Sequence, residues 1–436
     1  MAIPAVLAIL ACGVLIGCGG SSGSAPPSPK GISVAVAPSS FTMGVGSNYQ
    51  FVATVTGTSN TAVQWQVNGM GGGAASAGRI DNAGLYIAPA NIPAGPIEIT
   101  AVAQADGVSK GSAAVTLTLT DPLGTASGQT ITCPADPNIT IGGTCYSVAL
   151  SCAGIADFNA SLWVNTPTTT PVGTVMLTSG GNGDGLYWNS FAFGSNVVNG
   201  LLQAGYITVQ TSFGQNFTNS PAAGWVAGPG GIRRVACRYA TLAKWVQDHI
   251  NPSATAMCAT GNSGGAALIG YALTHYGEGS LFKMVEPTSG SPISRLDHSC
   301  ECSQPDLPDP CHPSQLATQC AGLDNAEKFI DPAYTAPICS QAVLSHSTAN
   351  AAQFLSDSAL SPEATLAYPH TAVHFLWGGQ DDSSAPVMGQ LWQEAITQQL
   401  IPHSNAFACV ADAPHPLADV LDGAQQIVTD IVQYCH

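Results

Sequence analysis

Charge is scarce in this 436-residue chain. Asp, Glu, Lys and Arg make up 8% of it, with ten Lys and Arg against 26 Asp and Glu, a formal charge of −16 at pH 7. A protein that neutralises phosphates needs clustered cations, so nucleic acid is excluded as a partner. Long apolar runs are also missing. Past residue 16 no stretch approaches the ~20 apolar residues of a membrane-spanning helix. No Lys or Arg precedes Lys30, and no cysteine lies between Cys18 and Cys133. The first third is therefore expected to fold without cross-links. A chain of this length holds two domains, or three.

What is present at the N-terminus points to export. Ala2 to Ile16 is apolar but short, and it ends in Leu15-Ile16-Gly17-Cys18. These four residues resemble a bacterial lipobox, which implies that residues 1–18 are a lipoprotein-type signal with Cys18 as the lipidation site. The basic n-region usual in such signals is absent, and an ordinary cleaved signal peptide is the alternative. Residues 19–30, rich in Gly, Ser and Pro, read as a flexible tether. The expected location is extracytoplasmic, either at the cell envelope with membrane contact by a lipid anchor alone, or secreted.

Beyond Cys12 and Cys18, twelve cysteines remain: Cys133, Cys145, Cys152, Cys237, Cys258, Cys300, Cys302, Cys311, Cys320, Cys339, Cys409 and Cys435. An even number in an exported chain reads as up to six disulfides, whose pairing the sequence leaves open. The run His298, Cys300, Cys302, Cys311, His312, Cys320 fits no paired C-x-x-C zinc spacing, so neither a metal nor a cofactor is expected.

Residues 31–120 read as all-β. Ile32 to Val36, Gln50 to Val55, Val63 to Val67, Ile97 to Val102 and Ala113 to Leu119 alternate apolar and polar residues between turn signals, with Trp65 placed for a sandwich core. The pattern of Val36 to Ser40, Gly44 to Gly46, Phe51 to Val55, Val63 to Trp65 and Gly84 to Pro89 resembles bacterial Ig-like repeats. That resemblance implies a β-sandwich acting as a spacer, preferred here to a glycan-binding module. Residues 121–144 are read as a linker. From 145 to 436 strands and helices alternate: a continuous apolar strand Val172 to Thr178, a helix near Asn189 to Ala204, a strand from Tyr206, a helix Val235 to Asp248 and a strand Ala254 to Ala259. Further on come a strand Val373 to Trp377 and a closing helix Leu417 to Tyr434. This argues for a mostly parallel sheet with helices on both faces. Residues about 296–345, carrying five cysteines among prolines, read as a disulfide-rich insertion capping the sheet edge.

The stretch that carries chemistry is Gly261-Asn262-Ser263-Gly264-Gly265 between a buried strand and the small-residue helix Ala266 to Leu273. A strand, a sharp turn bearing a serine and a helix make a nucleophile elbow, where only glycine-sized neighbours fit. A serine nucleophile needs a base, an acid to orient it and donors for an oxyanion. A glycine-rich turn after the strand Val373 to Trp377 offers Asp381 and Asp382. Asp382 sits three after a glycine and four before a proline, a spacing that resembles the one common in the hydrolase family that uses this elbow, and that resemblance makes it the preferred acid. His415, between Pro414 and Pro416 ahead of the closing helix, is the base selected from ten histidines. The expected oxyanion donors are Gly264 and, from the Ser179 to Gly183 loop, Gly181, with Asn182 the next choice and also a candidate for the substrate pocket. Tyr187 and Trp188 are candidates for a substrate pocket or for plain core.

In this order the elements resemble the α/β-hydrolase family over residues about 145–436. The family's His-Gly oxyanion turn has Ser179 in place of His. The cysteines that tannase and feruloyl-esterase relatives place beside Ser and His are replaced by Asn262, Gly264, Pro414 and Pro416. The resemblance implies a serine hydrolase that cleaves carboxylic esters, including polymeric ones, through an acyl-enzyme. The alternatives are a polyester depolymerase, a serine peptidase, or a non-catalytic surface binding protein on the same fold. Arg233, Arg234 and Arg238 form the one basic cluster, read as a solvated helix start in preference to a docking site for an acidic substrate.

Overall fold

A computed structural model describes residues 31–89, 91–133, 142–214, 217, 224–250, 256–323, 326–399 and 405–436. Cys18 and the tether lie outside the described residues. Among those described, no helix is long and apolar enough to cross a membrane.

The alternating runs of the N-terminal third become strands that bury one face. Ile97, Ile99, Ala101 and Ala103 are all buried, while on the alternate face Glu98 is exposed, Val102 partly so and Thr100 covered. Ile97–Ala103 pairs antiparallel with both Lys110–Thr118 and Val63–Val67 in a five-stranded sheet. A four-stranded and a two-stranded sheet complete the region. Trp65, Phe51, Tyr86 and Met43 fill the space between them.

The second unit is built on a nine-stranded mixed sheet. Across it the strands run Thr125–Ile131, Thr144–Ser151, Phe158–Asn165, Tyr206–Ser212, Gly173–Thr178, Met257–Asn262, Met284–Thr288, Ala372–Gly378 and Asn405–Val410. The first four pair antiparallel and every later pair is parallel. Gly173–Thr178 and Met257–Asn262 are buried throughout, as strands covered on both faces must be. Alternation still sorts their side chains. Val175 and Leu177 face a cluster with Val197, Leu201, Ile427 and Ile431, from helices Gly194–Gln203 and Leu421–Tyr434. Met176 faces the opposite cluster, with residues of helices Cys237–His249, Gly264–Thr274 and Ala385–Thr397. A mixed sheet covered by helices on both faces fits the α/β-hydrolase architecture.

Two expectations are corrected. The stretch 121–144, read as a linker, contributes the first edge strand, Thr125–Ile131. It is exposed along most of its length, so its side chains carry little apolar signal. The basic cluster is also not solvated. Arg233 is buried and paired with Asp121, Nε to Oδ2 at 2.6 Å, and it donates to the Val45 carbonyl. The Arg234 guanidinium lies over the rings of Phe41 and Tyr49. With Asn48 donating to Asp357 (2.9 Å) and Ser356 to the Gly46 carbonyl (2.7 Å), these contacts seat the N-terminal sheets against the second unit.

All twelve cysteines are paired: Cys133–Cys145, Cys152–Cys237, Cys258–Cys435, Cys300–Cys339, Cys302–Cys320 and Cys311–Cys409. Two lie within the expected insertion, and Cys311–Cys409 ties it to the last edge strand.

Candidate active site

Ser263 sits where Met257–Asn262 ends and Gly264–Thr274 begins, with φ 52° and ψ −110°. A residue with a Cβ is rarely found there, and such strain persists only where its surroundings enforce it. They do so here. The Ser263 N–H donates to the Thr288 carbonyl of the neighbouring strand (2.9 Å), and its own carbonyl accepts from Ala267. The turn is packed too tightly for larger neighbours: a Cβ on Gly264 would stand 2.1 Å from the Gly181 carbonyl oxygen, and one on Gly265 2.7 Å from that of Thr178.

The Ser179 to Gly183 loop lies against this turn. A Cβ on Gly180 would be 3.7 Å from that of Ser263. The Gly183 N–H closes a tight turn onto the Gly180 carbonyl (3.0 Å), and Gly181 within it takes φ 56°. Ser179, which stands where the resemblance led us to expect a histidine, donates its hydroxyl to the Gly185 carbonyl (2.8 Å), bracing the loop from within.

His415 lies on the loop between Asn405–Val410 and the turn Leu417–Asp419. The loop is fastened at both ends. Gln380 N–H donates to the Ala413 carbonyl (2.9 Å), and Leu417 N–H points to Asn262 Oδ1 (3.4 Å). That oxygen also accepts from Thr288 (3.1 Å). The residue before the serine thus connects the elbow to the histidine loop.

The acid facing His415 is Asp381, not Asp382. His415 Nδ1 and Asp381 Oδ2 are 2.8 Å apart, and the Asp381 side chain is fully buried while that of His415 is one-third exposed. The turn after Ala372–Gly378, with Asp381 N–H returning to the Gly378 carbonyl, directs residue 381 inward and leaves 382 exposed. The residue count to the flanking glycine and proline carries no information on that direction. Burial opposes the charge on Asp381, but the hydrogen bond and charge of His415 and the Ser383 groups outweigh it and hold the carboxyl below its usual range. The Ser383 N–H donates to Asp381 Oδ1 (3.1 Å), and its hydroxyl lies 3.2 Å from His415 Nδ1. A carboxylate accepting from Nδ1–H fixes the tautomer in which Nε2 is the acceptor nitrogen and favours the imidazolium once a proton arrives.

Asn182 is half-buried at this surface. Tyr187 and Trp188 are not pocket walls: they are 0% and 6% exposed, in the apolar cluster under the closing helix. Near them lies Glu286, fully buried on the strand beside the elbow. Burial, then the nearby Asp430 carboxyl, push the Glu286 carboxyl well above its ordinary value. The cysteines of the weighed zinc set are all in disulfides, and no group of metal-binding side chains occurs among the described residues. Sequence reasoning missed Asp381 as the first choice, Ser383, and the tie through Asn262.

No family model matches the sequence, and no curated protein matches it. Among solved structures the chain is similar to an esterase of Pyrococcus furiosus, with 14% identity, TM-score 0.41, and 69% of this chain and 100% of that one covered. It is similar to a thermostable carboxyl esterase from Bacillus coagulans, with 14% identity, TM-score 0.41, and 66% and 97% covered. A carboxyl esterase from Tuber melanosporum gives 12% identity, TM-score 0.43, and 70% and 90% covered. Likenesses this distant carry no argument about activity, which has to come from the site.

Proposed function

We propose that the chain is an exported serine hydrolase that cleaves carboxylic esters, with Ser263 as nucleophile, His415 as general base and acid, and Asp381 orienting the imidazole. The observation that carries the reading is the strained Ser263 turn set beside a histidine loop whose imidazole is hydrogen-bonded to a buried carboxylate. A buried Asp and a one-third exposed His on loops tied to the elbow are what nucleophile activation requires.

In this reading the Ser263 hydroxyl attacks the ester carbonyl while its proton passes to His415 Nε2. The oxyanion is received by the Gly264 N–H and by an amide of the Gly181–Asn182 segment, donors that need no reorganisation as charge develops. His415 then protonates the leaving alcohol, and a water activated by the same imidazole releases the acid. Esters are preferred to peptides by analogy with the chemistry commonest on this architecture. Six disulfides support an extracytoplasmic setting. In the same reading Cys18 is the lipid anchor and the N-terminal region an Ig-like module.

A fluorophosphonate probe tests the proposal: it is expected to label the oxidised protein and not Ser263→Ala. Absence of label from both would leave the non-catalytic binding protein as the better reading. A panel of p-nitrophenyl esters of increasing chain length, beside a polyester film and a peptide, separates esterase from depolymerase and peptidase.

A further inference from the structure

Trp225 is a fully buried tryptophan just ahead of the helices that begin at Ile232 and Cys237, and its indole reaches back to the candidate oxyanion loop. Its Nε1–H donates to the Gly181 carbonyl (3.2 Å), and its backbone N–H donates to the Asn182 carbonyl (3.0 Å). We propose that Trp225 is the positioning residue of the oxyanion hole, an inference that rests on the serine-hydrolase reading.

In a trans peptide the carbonyl and the following N–H point in opposite directions. The Gly180 carbonyl is taken by the Gly183 N–H, which turns the Gly181 amide the other way. The Gly181 carbonyl is taken by the Trp225 indole, which does the same for the Asn182 amide. Both amides that can serve the oxyanion are therefore aimed from behind. The first is aimed by the loop's own turn and the second by a side chain from another part of the chain. A glycine at φ 56° places little steric restraint on the peptide that follows it. Without the indole N–H the Gly181 carbonyl would have no fixed donor among the described residues, and a rotated peptide would present a carbonyl dipole to a developing negative charge.

Trp225 is itself braced. Arg238 is buried and has no carboxylate partner among the described residues. Its Nη1 donates to the carbonyls of Trp225 (2.7 Å) and Ala227 (2.6 Å), and its guanidinium lies over the Phe158 ring. The indole also meets Phe329 of Ala326–Ile330 in an edge-to-face contact at 5.6 Å. The disulfide-rich insertion thus reaches the loop through one aromatic contact.

Two variants of the full chain test the proposal. Trp225→Phe removes the N–H along with part of the ring, and site-specific incorporation of 3-benzothienylalanine at 225 removes the N–H alone. The expected result for both is a fall in kcat on p-nitrophenyl acetate of about tenfold or more, with KM within about twofold of wild type. Inhibition by a trifluoromethyl ketone, whose adduct carries the oxyanion, should weaken in step with kcat. A merely structural tryptophan would not produce that pairing in the isosteric variant. If kcat and the ketone's inhibition constant stay at wild-type values in the benzothienyl variant while Ser263→Ala is inactive, Trp225 has no positioning role and the hydrolase reading stands. If Ser263→Ala turns over like wild type, the hydrolase reading falls and takes this inference with it.

Discussion

Adjacent aspartates at 381 and 382 differ in everything that matters to a titrating imidazole. One is buried at 2.8 Å from Nδ1, and the other is exposed. Asp381→Asn is expected to lower kcat by about 10⁴-fold with the fold intact, because the amide stabilises the wrong tautomer. Asp382→Asn should leave turnover within about twofold, and steady-state kinetics on one ester compare the pair. Glu286 makes the opposite kind of statement. Its folded pKa lies above the ordinary value near 4.5, so the folded state prefers the protonated form, and stability is lost as pH rises past that value. Glu286→Gln is expected to raise the urea midpoint at pH 7 and to change it little at pH 4, where both states carry the proton. An equal effect at both pH values would contradict the assignment.

At the scale of elements, disulfides flank the histidine loop on both sides. Cys409 on the edge strand before it is joined to Cys311, and Cys435 at the end of the closing helix is joined to Cys258 on the elbow strand. The edge strand pairs with a single neighbour, Ala372–Gly378, and is exposed over Ala406 to Cys409, so packing alone retains it weakly. The Cys311→Ser, Cys409→Ser double variant is expected to lose about 2–4 kcal/mol in urea unfolding and to lose turnover at urea concentrations where the central sheet is still folded. Activity that disappears only with the main unfolding transition would place the bond outside the site's support. Much of this architecture was legible in advance. Gly173–Thr178 and Ala372–Gly378 are mostly apolar, with Thr174 and His374 as interior polar members, and the sequence places both within one residue of their ends. The strands Phe158–Asn165 and Met284–Thr288 are not placed by the sequence, since buried polar members such as Ser161 and Glu286 break the apolar run, and Thr144–Ser151 is not because its polar Thr144, Ser147 and Ser151 lie outside the core.

For the whole molecule, the N-terminal sheets pack directly against the second unit. Asp121 and Arg233 are both buried where the two units meet, and they satisfy one another. Arg233→Met leaves a buried carboxylate without its cation and is expected to cost about 3–5 kcal/mol. Thermal melts of the variant and of the Arg233→Met, Asp121→Leu double variant should show the double change to be milder. The same junction holds His275, whose pKa is brought down to about 3 by burial and then by the Arg233 charge. Folding favours its neutral form, so its contribution is complete above pH 6.5 and is lost as pH falls from there toward 3. Asp357, raised to about 6 by burial, loses stability in the other direction as pH rises from its ordinary value. His275→Gln should therefore flatten the acid side of a Tm-against-pH profile. An unchanged profile would mean that another group controls it.

The sequence by itself determined the features that are written locally: a serine between a buried strand and a small-residue helix, an acid and a histidine later in the chain, cysteines in even number, and an alternating β region ahead of them. Each follows from a period, a turn residue or a count. Tertiary structure decided which of two neighbouring aspartates faces inward, which cysteines meet across up to 177 residues, and that an arginine cluster is a buried seam. It also decided that an indole from a distant loop donates to the Gly181 carbonyl beside the Ser263 turn. These depend on the direction a loop residue points and on contacts between segments far apart in the chain. No hydrophobic period encodes either one, because both are fixed only when the sheet is assembled and its carboxyl edge brings the loops together.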